Sequence, residues 1–336
     1  AVSKDAKDVV PQADYVIAAL PSFAIRNVLT GLKPHLKEGS IVYIMPGQGA
    51  PDYVARDVLG DLLTSGKTTM AGIIPMPLNC RITEWGKRVE LAALKASYDL
   101  ASVPASNCQK AADGLSGLLG GRPVRPIGNY VGIALHCSNP NLHPGRLYGL
   151  FGPDSQLGLY EEGKVYAENP LFYETWDDRA SEWCQKISEE RVKVWTTICE
   201  KFPGTGEPGQ VPHIKPYIES IYAGQIASTE SLSTCFNTND GFKGFRCPMK
   251  AVEGGFAPDF TNRYFTEDLP EGFAMYKGIA DLAGVETPAI DEIMCFFQKF
   301  MGKEYIKDGK LAGADVPNTK SPQAFGIKTL EDLLKD

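Results

Sequence analysis

Two of the chain's four histidines, His136 and His143, fall within the segment HCSNPNLHPGR at 136–146. Three chemistries suit such a pair: a metal site, a general acid/base, or two packing residues on a turn. A metal fits poorly. The histidines share a helical face only if one helix runs unbroken through them, and Pro140 and Pro144 disfavour helical backbone in the residues before them. No Cys-x-x-Cys, His-Glu-x-x-His or carboxylate cluster stands nearby to complete a shell. Cys137, directly beside His136, is badly placed to ligate the same ion, so no metal is expected. An acid/base histidine should sit at a helix break facing a cleft, with a second group fixing its tautomer. His143 meets the first condition if Pro144 opens a new helix through Arg146 and Tyr148. A loop histidine without a chemical role is the competing reading. His136, inside the apolar run VGIALHCS, reads as a core or interface residue.

A carboxylate to orient His143 must come from elsewhere, and NRYFTEDLPEGFAMYKGIADLAG (262–284) is the best source. Arg263, Glu267 and Asp268 close a turn there, Pro270 follows, and a helix begins. The same acids also make an ordinary helix start, favoured by the positive end of the helix dipole.

The elements that would position these groups divide the chain in two. DYVIAAL (14–20), IVYIMPG (41–47) and MAGIIPM (70–76) are short apolar runs of the kind that form parallel strands buried on both faces. Helical stretches at 23–36 and 52–65 separate them, which is the pattern of an open α/β sheet. Ligands of such sheets collect beyond the carboxyl ends of the strands, where PSF, PGQG and PMPLNCR would lie. Residues 87–103 suggest a hairpin or edge strands. Beyond about 127 the periodicity becomes helical; Trp176, Ala180, Trp183, Ile187, Val192, Trp195 and Ile198 stripe one face of 175–202. The expected division is 1–127, α/β, and 128–336, mainly α-helical.

Composition excludes several classes. The net charge of −7 with scattered Lys and Arg offers no basic face for nucleic acid. No apolar run reaches the ~18–20 residues of a membrane span, and the first residues lack a signal-peptide core. Eight cysteines without regular spacing suit reduced thiols in the cytoplasm. One part is missing: neither GQGAPD (47–52) nor GLSGLLGG (114–121) has the spacing of the glycine turn that receives a dinucleotide pyrophosphate. The expectation is a Rossmann-like domain incomplete at its amino end.

ALPS, MPGQG, NPNLHPGRLYG, LFYETWDD, GFKGFRCPMK and NRYFTEDLPEGF, in that order, resemble the opine dehydrogenases, the octopine dehydrogenase group of invertebrates in particular. The resemblance spans nearly the whole chain, and NPNLHPG and RYFTED are its most specific parts. It implies an amino-terminal Rossmann domain for NADH and a helical domain with substrate contacts. The implied reaction condenses pyruvate with an amino acid (arginine, taurine, glycine or alanine) and reduces the imine. His143 matches the family's catalytic histidine, Asp268 its partner, and Arg263 a cofactor or substrate anion contact. Pro21, Ser22, Gly47 and Gln48, at strand ends, are then expected along the nicotinamide half of the cofactor. Both substrates carry carboxylates, which makes Gln48, Asn141, Arg146 and Arg263 candidate donors. The rim segment GIIPMPLNCRI builds the amino-acid pocket in octopine-forming relatives, which makes Cys80 an expected substrate contact; here the segment holds no acid before Cys80, which favours a small amine over arginine. Two rivals remain: a glycerol-3-phosphate type dehydrogenase, with lysine in the place of His143, and a dinucleotide-binding protein without activity.

Overall fold

The strands at Ser40–Met45 (β2) and Thr68–Ile74 (β3) are buried along their whole length, as their unbroken apolar runs require. A computed structural model describes residues 2–136 and 139–335 and places both strands in a five-stranded sheet. Tyr15–Ala19 (β1) pairs in parallel with β2, and β2 with β3. Tyr98–Val103 (β6) lies antiparallel to β3, and Val124–Pro126 (β7) is parallel to β6, giving the order β1-β2-β3-β6-β7. Between them Leu78–Glu84 (β4) and Arg88–Leu94 (β5) form a separate antiparallel hairpin. The sequence suggested a hairpin or edge strands across 87–103; β6 is instead a central strand. Among the described residues one face of β1 is uncovered, with Tyr15 42% and Ile17 52% exposed.

Ile25–Leu32 (α1), Pro51–Leu59 (α2), Asp61–Thr64 (α3) and Cys108–Leu118 (α4) accompany the sheet. The helical half follows with Tyr130–Ala134 (α5), Asn139–Phe151 (α6) and the long Asp178–Lys201 (α7). Asp177 caps α7 by accepting from the Ala180 amide, and the tryptophan stripe packs inward. Ile214–Ile221 (α8), Leu232–Asn237 (α9), Arg263–Thr266 (α10), Ala274–Ala283 (α11) and Pro288–Phe300 (α12) complete the layer. A π-helical turn at Asp268–Phe273 joins α10 to α11.

Polar joints fix the two halves to each other. His136 is fully buried and its Nε2 lies 2.7 Å from Asp99 on β6, which also holds Arg125. Burial pushes the Asp99 carboxyl up, but hydrogen bonds from His136 and Arg125 outweigh it and hold the group below its ordinary value. His136 is thus a structural joint, as its apolar surroundings suggested. The Tyr130 hydroxyl donates to the Gly47 carbonyl at 2.8 Å, a second joint.

Candidate active site

The carboxyl ends of β1, β2 and β3 form one rim, and the loops leaving them open into two adjoining cavities. The larger, about 530 Å³, is lined by Leu20, Pro21, Ser22, Met45, Arg263 and Glu271, among others. The second, about 360 Å³, reaches between β3, the hairpin and α8, past Cys80, Arg81 and Lys95. His143 and Gln48 line both. The Gln48 Nε2 is buried with no protein partner among the described residues, a donor held ready at the junction.

His143 projects from α6, whose course differs from the expected one. Helix α6 runs unbroken from Asn139 to Phe151 with Pro144 inside it, so His143 is not at a helix break. Pro144 leaves only the Pro140 carbonyl without its helical amide, in the first turns. Residues 140–151 are buried throughout, and packing of this kind outweighs the local cost. Opposite, the π-helical turn carries Asp268 toward α6. Such widened turns recur at functional sites, and the approach here is close: a Cβ at Gly272 would fall 2.2 Å from Pro140, so only glycine fits.

The resulting pair is direct. His143 Nδ1 lies 2.6 Å from Asp268 Oδ2, and both side chains are buried. A carboxylate there accepts the Nδ1 proton and leaves Nε2 as the working nitrogen. Nε2 faces the Tyr173 hydroxyl at 3.3 Å. The Tyr264 ring stacks on the imidazole with centroids 3.8 Å apart and planes 11° from parallel, while Phe172 meets it edge-on. The ring therefore has one orientation. Burial pushes the Asp268 carboxyl up, against the pull of the adjacent imidazole.

The other candidates separate. Pro21, Ser22, Gln48 and Arg263 line the larger cavity, and Cys80 the smaller. The Ser22 hydroxyl donates to Glu271 across the cleft, and Arg263 pairs with Glu267. Burial and the neighbouring Glu267 push Glu271 up to about 7. Three expected contacts are corrected. Gly47 is a packing residue: a Cβ there would fall 2.6 Å from the Ile73 amide, its own amide donates to Ile73, and its carbonyl accepts from Tyr130. Asn141 is fully buried between α6 and α7, giving its amide to the Cys184 carbonyl and accepting from Arg191. Arg146 is also fully buried, and its guanidinium donates to the Phe172 and Thr175 carbonyls at 3.0 and 2.8 Å and to Asp177. It braces the segment that carries Tyr173 instead of lining a cavity. Among the described residues no group of three or more His, Cys, Asp or Glu side chains could hold a metal; Cys137 lies outside them.

Sequence reasoning overlooked Tyr173, Tyr264, Lys95 and Tyr222. The two tyrosines nearest His143 stood in LFYETWDD and NRYFTED, beside residues already chosen. Lys95 was signalled by one lysine in the otherwise apolar LAALKASY.

A buried histidine–carboxylate pair at the ligand-binding rim of an open α/β sheet, covered by a helical layer, is the arrangement of a two-part dinucleotide-dependent dehydrogenase. Residues 126–301 match the family model described as NAD/NADP octopine/nopaline dehydrogenase, alpha-helical domain. The chain is 36% identical to a tauropine dehydrogenase of Arabella iricolor, over 99% of this chain and 82% of that protein. It is 33% identical to an octopine dehydrogenase of Pecten maximus, over 99% of this chain and 81% of that one. A solved octopine dehydrogenase in complex with NADH and agmatine superposes with a TM-score of 0.84 at 30% identity, covering 99% of this chain and 80% of that one. The chain belongs to the octopine dehydrogenase family, and its class is that of NAD-dependent oxidoreductases acting on CH–NH bonds.

Proposed function

We propose that this protein condenses pyruvate with an amino acid and reduces the resulting imine with NADH, His143 handling the proton and Asp268 orienting it. The observation that carries the reading is the His143–Asp268 contact at the wall shared by the two cavities. Solved relatives support the substrates: octopine dehydrogenase structures hold NADH with L-arginine and NADH with pyruvate. The residues of the larger cavity fit the nicotinamide half of NADH, since it opens beyond the ends of β1 and β2 and holds the unpartnered Gln48 amide. Pro21 and Ser22 would floor that site, with Arg263 at its edge. The bound cofactor supplies a hydride. As pyruvate and the neutral amine combine, the carbonyl oxygen leaves as water with two protons: one comes from the amine nitrogen, and Nε2 of a protonated His143 is placed to give the other, which leaves a neutral imidazole. Asp268 stabilises the protonated ring until that proton is given and holds the Nδ1–H tautomer afterwards. The free thiols of Cys80, Cys108, Cys184, Cys199, Cys235, Cys247 and Cys295 support a reducing, cytoplasmic setting. Among the described residues, no helix is long and apolar enough to cross a membrane.

The direct test follows NADH absorbance with pyruvate and a panel of arginine, taurine, glycine and alanine. Oxidation should require both pyruvate and an amine. Oxidation with pyruvate alone would indicate reduction of the keto acid and end the proposal.

Glu271 gives a second expectation. It titrates near pH 7 beside the proposed cofactor path, so its charge appears as pH rises from 6 to 8 and opposes an anionic dinucleotide. The NADH dissociation constant should rise ~2–5-fold over that range, and E271Q should flatten the rise in a fluorescence titration. An equal slope in E271Q would remove Glu271 from the cofactor site. The raised value also has a cost in stability: the unfolded chain releases this proton near pH ~4.3, so Glu271 destabilises the fold progressively as pH climbs from there toward 7.

A further inference from the structure

We propose that Lys95 and Tyr222, in the wall of the smaller cavity, bind the acid group of the amine substrate, which is a short primary amine bearing a sulfonate or carboxylate. The inference rests on the reading that the amine condenses with pyruvate in this cavity. Lys95 is 2% exposed, and its Nζ donates to the Tyr222 hydroxyl at 2.8 Å. The Asn79 side-chain amide donates to the same hydroxyl at 3.1 Å. A tyrosine hydroxyl offers two acceptor positions and one proton. Both acceptor positions are thus taken, and the proton must be given to something else. The ammonium has three N–H groups and spends one on Tyr222. The ammonium also lies 4.0 Å from the Tyr222 ring centroid, and among the described residues these donors meet no carboxylate.

Charge points the same way. Among the described residues no aspartate or glutamate lines this cavity, whereas Arg81, Lys95 and His143 all do. Buried lysines ordinarily pair with acids, as Lys277 does with Asp281 and Asp291. Without such a partner among the described residues, burial lowers Lys95 to about 7. An anion seated on Nζ restores the charge and completes the hydrogen bonds of Lys95 and Tyr222 together. A guanidinium would bring another cation into the same wall and leave those donors unsatisfied. The apolar Ile218, Ile221 and Phe242 close the cavity around this point, leaving the amine end to face His143.

The experiment uses the full-length enzyme with NADH and pyruvate, and compares taurine and β-alanine with L-arginine and agmatine. Wild type, K95M, K95R and Y222F are measured, each checked for native circular dichroism. The acidic amines should show kcat/KM at least ~10-fold above agmatine. K95M should raise the taurine KM roughly tenfold or more, with the pyruvate KM changing less than about threefold, and K95R should recover most of the loss. Y222F, which keeps the ring, should shift the taurine KM in the same direction and stands in if K95M does not fold. Preference for arginine or agmatine overturns the proposal while leaving the condensation reading intact. So does a K95M effect confined to pyruvate, or no effect. Absence of NADH oxidation with every amine overturns both.

Discussion

Replacing His143 with alanine is expected to lower turnover by ~10²-fold or more while NADH affinity, measured by fluorescence titration, stays nearly intact. The size follows from how the ring is held. Nδ1 is committed to Asp268 at 2.6 Å, the ring is fixed by stacking on Tyr264, and Nε2 is left with the Tyr173 hydroxyl at 3.3 Å. Tyr173 cannot replace it: burial drives its hydroxyl far above its ordinary range, so it gives up a proton less readily than a free tyrosine. D268N should fall in the same direction, because an amide at that position can present its own N–H to Nδ1 and select the wrong tautomer. Turnover in H143A equal to wild type would remove the pair from the mechanism.

Arg146→Ala is expected to cost about 3–5 kcal/mol of stability, because it strips a fully buried cation from several acceptors at once. For a protein of this size that lowers Tm by roughly 4–7 °C. Differential scanning calorimetry distinguishes this from the role suggested by sequence. Were Arg146 a substrate-anion contact in the cleft, the same variant would raise the pyruvate KM and leave Tm almost unchanged. Lysine should rescue little, since one ammonium cannot reach the Phe172 and Thr175 carbonyls and Asp177 in the geometry of a guanidinium.

The contrast between His143 and Arg146 shows which features were legible in the chain. The α/β alternation exposed β2 and β3 because strands covered on both faces must be continuously apolar. The run of β1 is just as apolar, although among the described residues one of its faces is uncovered. His143 and Asp268 stood out as chemistry-bearing residues within distinctive segments. The path between them did not: Pro144 reads as a helix start, yet tertiary packing carries α6 straight through it. Asn141 and Arg146 share that helix with His143, and sequence cannot tell which of its sides faces a cavity and which faces α7 when all are buried. Lys95 escaped notice for a related reason. One lysine in an apolar run is a hint, but the acid it lacks becomes visible only once the cavity wall is assembled.

The central claim is that one imidazole, oriented by one carboxylate, meets the substrate at the boundary of the two cavities. A crystal structure of the full-length enzyme with NADH and pyruvate tests it most directly. The pyruvate carbonyl oxygen should lie within ~2.6–3.2 Å of His143 Nε2, or reach it through one water, with the nicotinamide ring in the larger cavity beyond β1 and β2. Pyruvate bound away from Nε2, or a nicotinamide ring outside that cavity, would contradict the account.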